Sequence, residues 1–111
     1  MREARARAEG LQLLGLAKRA GSVASGIHRV REALRSGEAV LVLVAEDASE
    51  VQLRKIEGLL RVRAIPRVVL GDRAALGAAS GGPPLSAVAV TDRRLAGLIL
   101  RRLSGGMATE S

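Results

Sequence analysis

Neither cysteine nor any of phenylalanine, tyrosine and tryptophan occurs among the 111 residues of this chain. The first absence excludes disulfides, thiolate zinc sites, iron–sulfur clusters and cysteine nucleophiles, and it fits a reducing compartment. The second excludes nucleic-acid binding through bases stacked on aromatic rings, the mode of RRM and many OB-fold domains. Long apolar runs are also missing. The run Ala39–Ala45 falls far short of the ~18 residues of a membrane span. The N-terminus carries Arg2, Arg5 and Arg7, then Glu9, with no apolar segment ending in a cleavage site, so it does not read as a secretory signal. A cytoplasmic protein with no membrane partner is expected.

What is present is ordinary in amount and uneven in charge. The chain is 48% apolar and 26% charged, values typical of a globular protein. Its length suits one domain that buries about two-thirds of its unfolded surface. Lys and Arg number 18 against 11 Asp and Glu, a net charge of +7, and all the basic residues but Lys18 and Lys55 are arginine. Residues 1–36 hold eight basic and three acidic groups, residues 37–66 four and five, and residues 67–111 six and three. The excess therefore lies toward both ends of the sequence. Arginine forks suit phosphates and base edges, and a genomic preference for Arg and Ala codons would raise the arginine count as well. The net charge argues for a polyanionic partner, most often nucleic acid.

Hydrophobic spacing gives the order of elements. Leu11, Leu14 and Ala17 recur at helical spacing and predict a helix over 9–20, preceded by a basic lead-in at 1–8. Ser22–Ser25 is short enough for one extended turn. Ile27, Val30 and Leu34 predict a second helix, Ile27–Ser36, with Gly37 beyond its end. Ala39–Ala45 reads as a central strand buried on both faces. Ser49 and Gln52 make a capping pattern for a helix that buries Leu53, Ile56 and Leu60. Val68–Leu70 is a short strand, Asp72 a cap for a helix over Arg73–Ala79, and Ala87–Val90 another buried strand. Asp92 caps a last helix with Leu95, Leu98, Ile99 and Leu103 inward, and 105–111 is expected to be a flexible tail. Alternation of this kind predicts an α/β fold: a single-domain, three-layer α/β/α sandwich with a mixed sheet of about four strands over residues 9–104.

The search for chemistry finds little catalysis. His28 is the only histidine. A general base needs an orienting partner and a metal needs further ligands, and Ile27 and Arg29 beside it offer neither. It is a surface residue or a ligand contact. No nucleophile elbow, P-loop or dinucleotide fingerprint is present. Glu46 and Asp47 end the central strand, where α/β ligands often bind, but paired acids there also serve to cap loops and helices. No enzyme activity, metal or cofactor is expected. There remains the surface around Lys18–Arg31. Gly26, just ahead of a helix, permits close backbone approach, and free N–H groups there favour phosphate. His28, Arg29 and Arg31 follow in the first turns, where cations oppose the helix dipole by about 0.3–1 kcal/mol each. An anionic partner would explain their placement, and a plain solvated face is the alternative.

LLGLAKRAGSVASG (Leu13–Gly26) and VREALRSGEAVLVLVAEDAS (Val30–Ser49) resemble the ribosomal protein L7Ae/L30e/S12e/Gadd45 superfamily, most closely its bacterial YlxQ-like branch. IPRVVL (Ile65–Leu70), RAALGAAS (Arg73–Ser80) and AVAVTD (Ala87–Asp92) follow the same pattern in order. The resemblance implies RNA binding, typically to kink-turns with tandem sheared G·A pairs, with ribosomal or translation-related proteins as further partners. In the archaeal and eukaryotic RNA binders the second helix opens Gly-x-Asn-Glu, with a Lys three residues later. Here the Gly is Gly26, and the other positions hold His28, Arg29 and Glu32. The family's second contact region falls on the loop Ser80–Leu85, whose Gly-Gly-Pro-Pro composition lacks the apolar residues that pack on a flipped base. The expected RNA surface is therefore Gly26, His28, Arg29 and Arg31, flanked by Lys18, Ser25, Ser80, Gly81 and Pro83. A protein-interaction module of the same fold that has lost the RNA site is the alternative.

Overall fold

The computed structural model describes residues 2–108, with side chains through residue 104. Its elements are α1 (Arg2–Arg19), β1 (Val23–Ser25), α2 (Ile27–Ser36), β2 (Leu41–Val44), α3 (Glu50–Arg63), β3 (Arg67–Val69), α4 (Arg73–Ala79), β4 (Ala87–Val90) and α5 (Arg93–Ala108). The sheet order is β1-β4-β2-β3. β4 runs antiparallel to both neighbours, and β3 joins β2 in parallel. The sheet is mixed and four-stranded, as the alternation of elements implies.

The sandwich follows from side-chain alternation on β2 and β4. Neither strand exposes more than 2% of any residue, so neither has a face left for water. Leu41 pairs with Val90 and Leu43 with Val88. These bulky residues face a core built with Leu14 of α1, Leu76 of α4 and Ile99 of α5. Val42 and Val44 pair with Ala89 and Ala87 and face Val30 and Leu34 of α2 and Ile56 and Leu60 of α3. Successive strand residues point to opposite faces, so one apolar run supplies two cores. The larger side chains take three helices and the smaller ones two.

Several boundaries differ from the expected ones. The lead-in at 1–8 belongs to α1 from Arg2 onward, because the Arg-Glu-Ala composition of that stretch favours helix. The helix α5 continues through Ala108, past Gly105, where a tail was expected, and residues 109–111 lie outside the described residues. The expected strand Ala39–Ala45 is paired only over Leu41–Val44, and β3 starts one residue early, at Arg67. On α5, Ala96 and Leu100 join the core with Leu95, Ile99 and Leu103, whereas Leu98 does not. Helix α2, helix α4 and strand β4 span the expected residues.

Removing a large side chain from either core leaves a cavity, because interiors are close-packed. Ile99→Ala and Ile56→Ala, one in each layer, should each cost about 2–5 kcal/mol. Urea unfolding followed by far-UV circular dichroism measures both. A cost below about 1 kcal/mol at either position would mean that its layer is loosely packed.

Candidate nucleic-acid interface

At the end of β1 the chain must pass from an edge strand into α2 within one residue. Gly26 makes the turn at φ 91° and ψ 156°, a conformation essentially restricted to glycine. Its N–H donates to the Ala87 carbonyl at 3.1 Å, and its carbonyl accepts the Val30 N–H at 2.9 Å. Among the described residues no side chain caps α2. Ser49, Asp72 and Asp92 each accept a first-turn N–H at the starts of α3, α4 and α5. By contrast, the N–H groups of Ile27, His28 and Arg29 lie in a first turn that has no intrahelical acceptor, at the positive end of the helix dipole. Val30 is fully buried, and His28, Arg29 and Arg31 are exposed.

The second wall comes from the segment before β4. A Cβ placed on Gly26 would sit 3.8 Å from Leu85 Cδ2. The Leu85 N–H donates to the Arg73 carbonyl at 3.0 Å, and the Ser86 carbonyl accepts the Ala45 N–H at 3.0 Å. Ser86 Oγ accepts the Ser49 N–H at 3.1 Å. Behind the loop, Gly77 of α4 lies against its backbone. A Cβ there would overlap the Pro83 carbonyl and come within 2.8 Å of the Pro84 Cα. The result is a shallow groove of about 450 Å³ between Gly26–Ile27, Ser49 and Gln52, Arg73, and Pro84–Ser86. Leu85 gives the loop an apolar side chain beside Gly26, which corrects the expectation that the loop lacks one. Proline and glycine dominate the loop's composition and mask this single residue at its end.

The acidic pair at the end of β2 is occupied within the protein. Asp47 Oδ1 accepts the Arg73 N–H at 2.8 Å, and Asp47 Oδ2 lies 3.4 Å from Arg73 Nε. The backbone N–H of Arg73, ahead of its guanidinium, holds the Asp47 carboxyl below its usual value. Glu46 lies 3.9 Å from Arg7. Among the described residues no His/Cys/Asp/Glu cluster could hold a metal ion. No helix among them is long and apolar enough to cross a membrane.

The expected surface residues fall into three places. Gly26, His28, Arg29 and Arg31 share the start of α2, and Ser25 precedes them with its Oγ enclosed and without a partner among the described residues. Ser80 and Gly81 follow the far end of α4. There Ser80 is 5% exposed with an unpartnered Oγ, and a Cβ on Gly15 of α1 would sit 3.6 Å from the neighbouring Ala79 carbonyl. The loop then doubles back along α4, so Pro84–Ser86 reach the groove and Pro83 rests against Gly77. Lys18 lies in the last turn of α1, ahead of β1, whereas Gly26 follows β1. Leu85, Ser86, Ser49, Gln52 and Arg73 are lining residues that local patterns did not single out as contacts. Ser49 and Gln52 carried only a capping signal.

The family model for the ribosomal protein L7Ae/L30e/S12e/Gadd45 family matches residues 8–98. The RNA-binding protein YlxQ of Bacillus subtilis (strain 168) is 37% identical over 95 residues, which cover 86% of this chain and 95% of that protein. Among solved structures, a protein of unknown function from Bacillus halodurans shares 29% identity at a TM-score of 0.79, with 86% of this chain and 96% of that one covered. The Giardia lamblia 15.5kD RNA binding protein superposes with a TM-score of 0.73, covering 96% of this chain and 91% of that one. At 19% identity that likeness is one of fold.

The bond between Asp47 and Arg73 makes stability depend on pH with a defined sign. A carboxyl depressed in the folded state adds stability that is present at neutral pH and is lost as the pH falls through its folded value. Carbon-detected NMR titration should place the Asp47 midpoint below the ordinary 3.8. Arg73→Ala should leave most of the depression in place, because the backbone N–H remains. A midpoint that returns to 3.8 in this variant would assign the effect to the guanidinium instead.

Proposed function

The chain belongs to the ribosomal protein L7Ae/L30e/S12e/Gadd45 family, and on that footing we propose that it is a non-catalytic RNA-binding protein whose target is a structured, kink-turn-like element of ribosomal or other non-coding RNA. The observation that carries this reading is the uncapped first turn of α2 behind Gly26, with His28 and Arg29 exposed on that turn and Leu85 beside Gly26. Free N–H groups at a helix start suit a phosphate oxygen. The RNA-binding name of the 37%-identical Bacillus subtilis relative supports the same assignment. The setting is a cytoplasmic ribonucleoprotein, with ribosomal or translation-related proteins as neighbours.

The chemistry of the reading differs from that of an Asn-Glu pair. Glutamate only accepts hydrogen bonds, whereas arginine only donates, so Arg29 reverses the polarity at its position. It suits guanine O6 and N7, or a phosphate, rather than an amino group. A neutral His28 can donate from one ring nitrogen and accept at the other, which makes it the residue suited to a sheared pair. Arg31 takes a phosphate, and Leu85 packs on the face of an unstacked base. Glu32, where the family has lysine, weakens phosphate contact on that side of the helix.

The reading is tested by affinity for a kink-turn RNA against the same RNA with Watson–Crick pairs in place of its G·A pairs, across a salt series. A preference that persists at ~150 mM salt is expected. Arg29→Glu/Arg31→Glu should lower affinity at least tenfold and reduce the salt slope by about two. Binding of both RNAs with equal affinity would deny kink-turn recognition. Binding of neither would favour the second reading, a protein-interaction module, to which the His28, Arg29 and Glu32 departures point.

A further inference from the structure

The turn between β2 and α3 fastens the loop that carries Leu85. Three of its bonds are donated by backbone: the Ala45 N–H to the Ser86 carbonyl at 3.0 Å, the Glu46 N–H to the Gly71 carbonyl at 2.8 Å, and the Ser49 N–H to Ser86 Oγ at 3.1 Å. Any residue but proline can donate these. The bond from this turn to α4 that depends on a side chain is that of Asp47. Its Oδ1 accepts the N–H of Arg73, 26 residues further on, at 2.8 Å, and its Oδ2 lies 3.4 Å from Arg73 Nε. The Arg73 carbonyl in turn accepts the Leu85 N–H at 3.0 Å. Pro83 and Pro84 have no N–H to give, and those of Gly81 and Gly82 go to Ala78 and Gly77 at the other end of α4. Leu85 therefore supplies the bond that ties the loop to the start of α4. Its half-buried side chain packs against the core cluster to which Leu76 of α4 belongs, and its Cδ2 stands beside Gly26. Leu85 is thus bound to α4 by backbone and by packing, and Asp47 holds the start of α4.

We propose that Asp47 is a positioning residue for the RNA site: by holding the start of α4 it sets Leu85 where that side chain meets an unstacked base beside Gly26. The inference rests on the RNA-binding reading of that site. Asp47 needs no contact with RNA. Its charge has the sign of a phosphate, and both of its oxygens are engaged by Arg73. A bond from a backbone N–H to a carboxylate is stronger than one between neutral groups, so it fixes its partner more closely than the backbone bonds around it. That matters for packing on a base, because a gap of about 0.5–1 Å already forfeits a quarter to a half of the dispersion attraction. The phosphate contacts at α2 stand apart from this chain of bonds. Gly26 is held by the Ala87 carbonyl and the Val30 N–H, neither of which passes through Arg73. Loss of the Asp47 carboxylate therefore weakens base packing and spares phosphate contact.

The test compares Asp47→Ala with Asp47→Asn in the full chain, against the kink-turn RNA and its Watson–Crick control across a salt series. Both variants remove the same charge, and asparagine keeps an oxygen that accepts the Arg73 N–H. Asp47→Ala should bind the kink-turn RNA about threefold to tenfold more weakly than Asp47→Asn. The two variants should share one affinity for the control RNA and one salt slope, since their phosphate contacts are the same. In a Leu85→Ala background the difference between them should vanish, because coupled residues are not additive. In the absence of RNA, the Leu85 methyl resonances should shift in Asp47→Ala and stay near their wild-type positions in Asp47→Asn. Equal affinity of the two variants for the kink-turn RNA overturns the positioning role. So does a loss that falls equally on both RNAs, or one that persists in full without Leu85. Each of these results leaves the α2 site standing as long as the wild type prefers the kink-turn RNA. Absence of that preference in the wild type overturns the reading of the site itself, and the positioning role with it.

Discussion

The pairing of β2 with β4 is the constraint from which the rest of the structure follows. Both strands are sealed on both faces, so a layer of helices is required above and below the sheet. Bulky and small side chains alternate along the pair, which sends Leu41, Leu43, Val88 and Val90 to one core and Val42, Val44, Ala87 and Ala89 to the other. Burial of this kind is the main favourable term in folding. The same pairing sets chain direction. Since β1 and β2 both run antiparallel to β4, the ends of β1 and β2 and the start of β4 meet at one end of the sheet. The start of β1 and the end of β4 meet at the other.

The candidate interface is a consequence of that convergence. Gly26, the Ala45–Ser49 turn and Leu85–Ser86 come from segments far apart in sequence, and backbone hydrogen bonds, with one to the Ser86 hydroxyl, hold them at one end of the sheet. Two glycines make the close approach possible for different reasons. Gly26 adopts a backbone conformation that a side chain would strain, and Gly77 leaves room for the Pro83–Pro84 backbone. The local energetics are unusual at the start of α2. Three helices satisfy a first-turn N–H with a side chain, whereas α2 leaves its own open and surrounds it with cations.

Much of this was legible locally. The caps Ser49, Asp72 and Asp92 could be read because capping depends on residues three apart. The bounds of α2 were legible because Gly26 and Gly37 flank a clear apolar stripe, Ile27, Val30 and Leu34. The reading failed where tertiary packing overrides spacing. Leu98 lies at a helical interval from Leu95, but the position of α5 against α1 and the sheet brings Ala96 and Leu100 into the core instead. The expected helix began at residue 9 because the apolar stripe begins near there, while Arg2–Ala8 extends the helix on propensity with its residues largely exposed.

By itself, then, the sequence determined the layered class of the fold, the apolar residues that fill most of its two cores, the bounds of α2 and the excess of positive charge. These depend on periodicity, on caps and on glycine, all of which act over a few residues. The tertiary structure alone decided which residues are neighbours. It brought Leu85, Ser49 and Arg73 to Gly26 and sent Ser80 and Gly81 to the far end of α4. Strand order and helix direction set such contacts, and they belong to the whole packed sheet rather than to any segment of the chain.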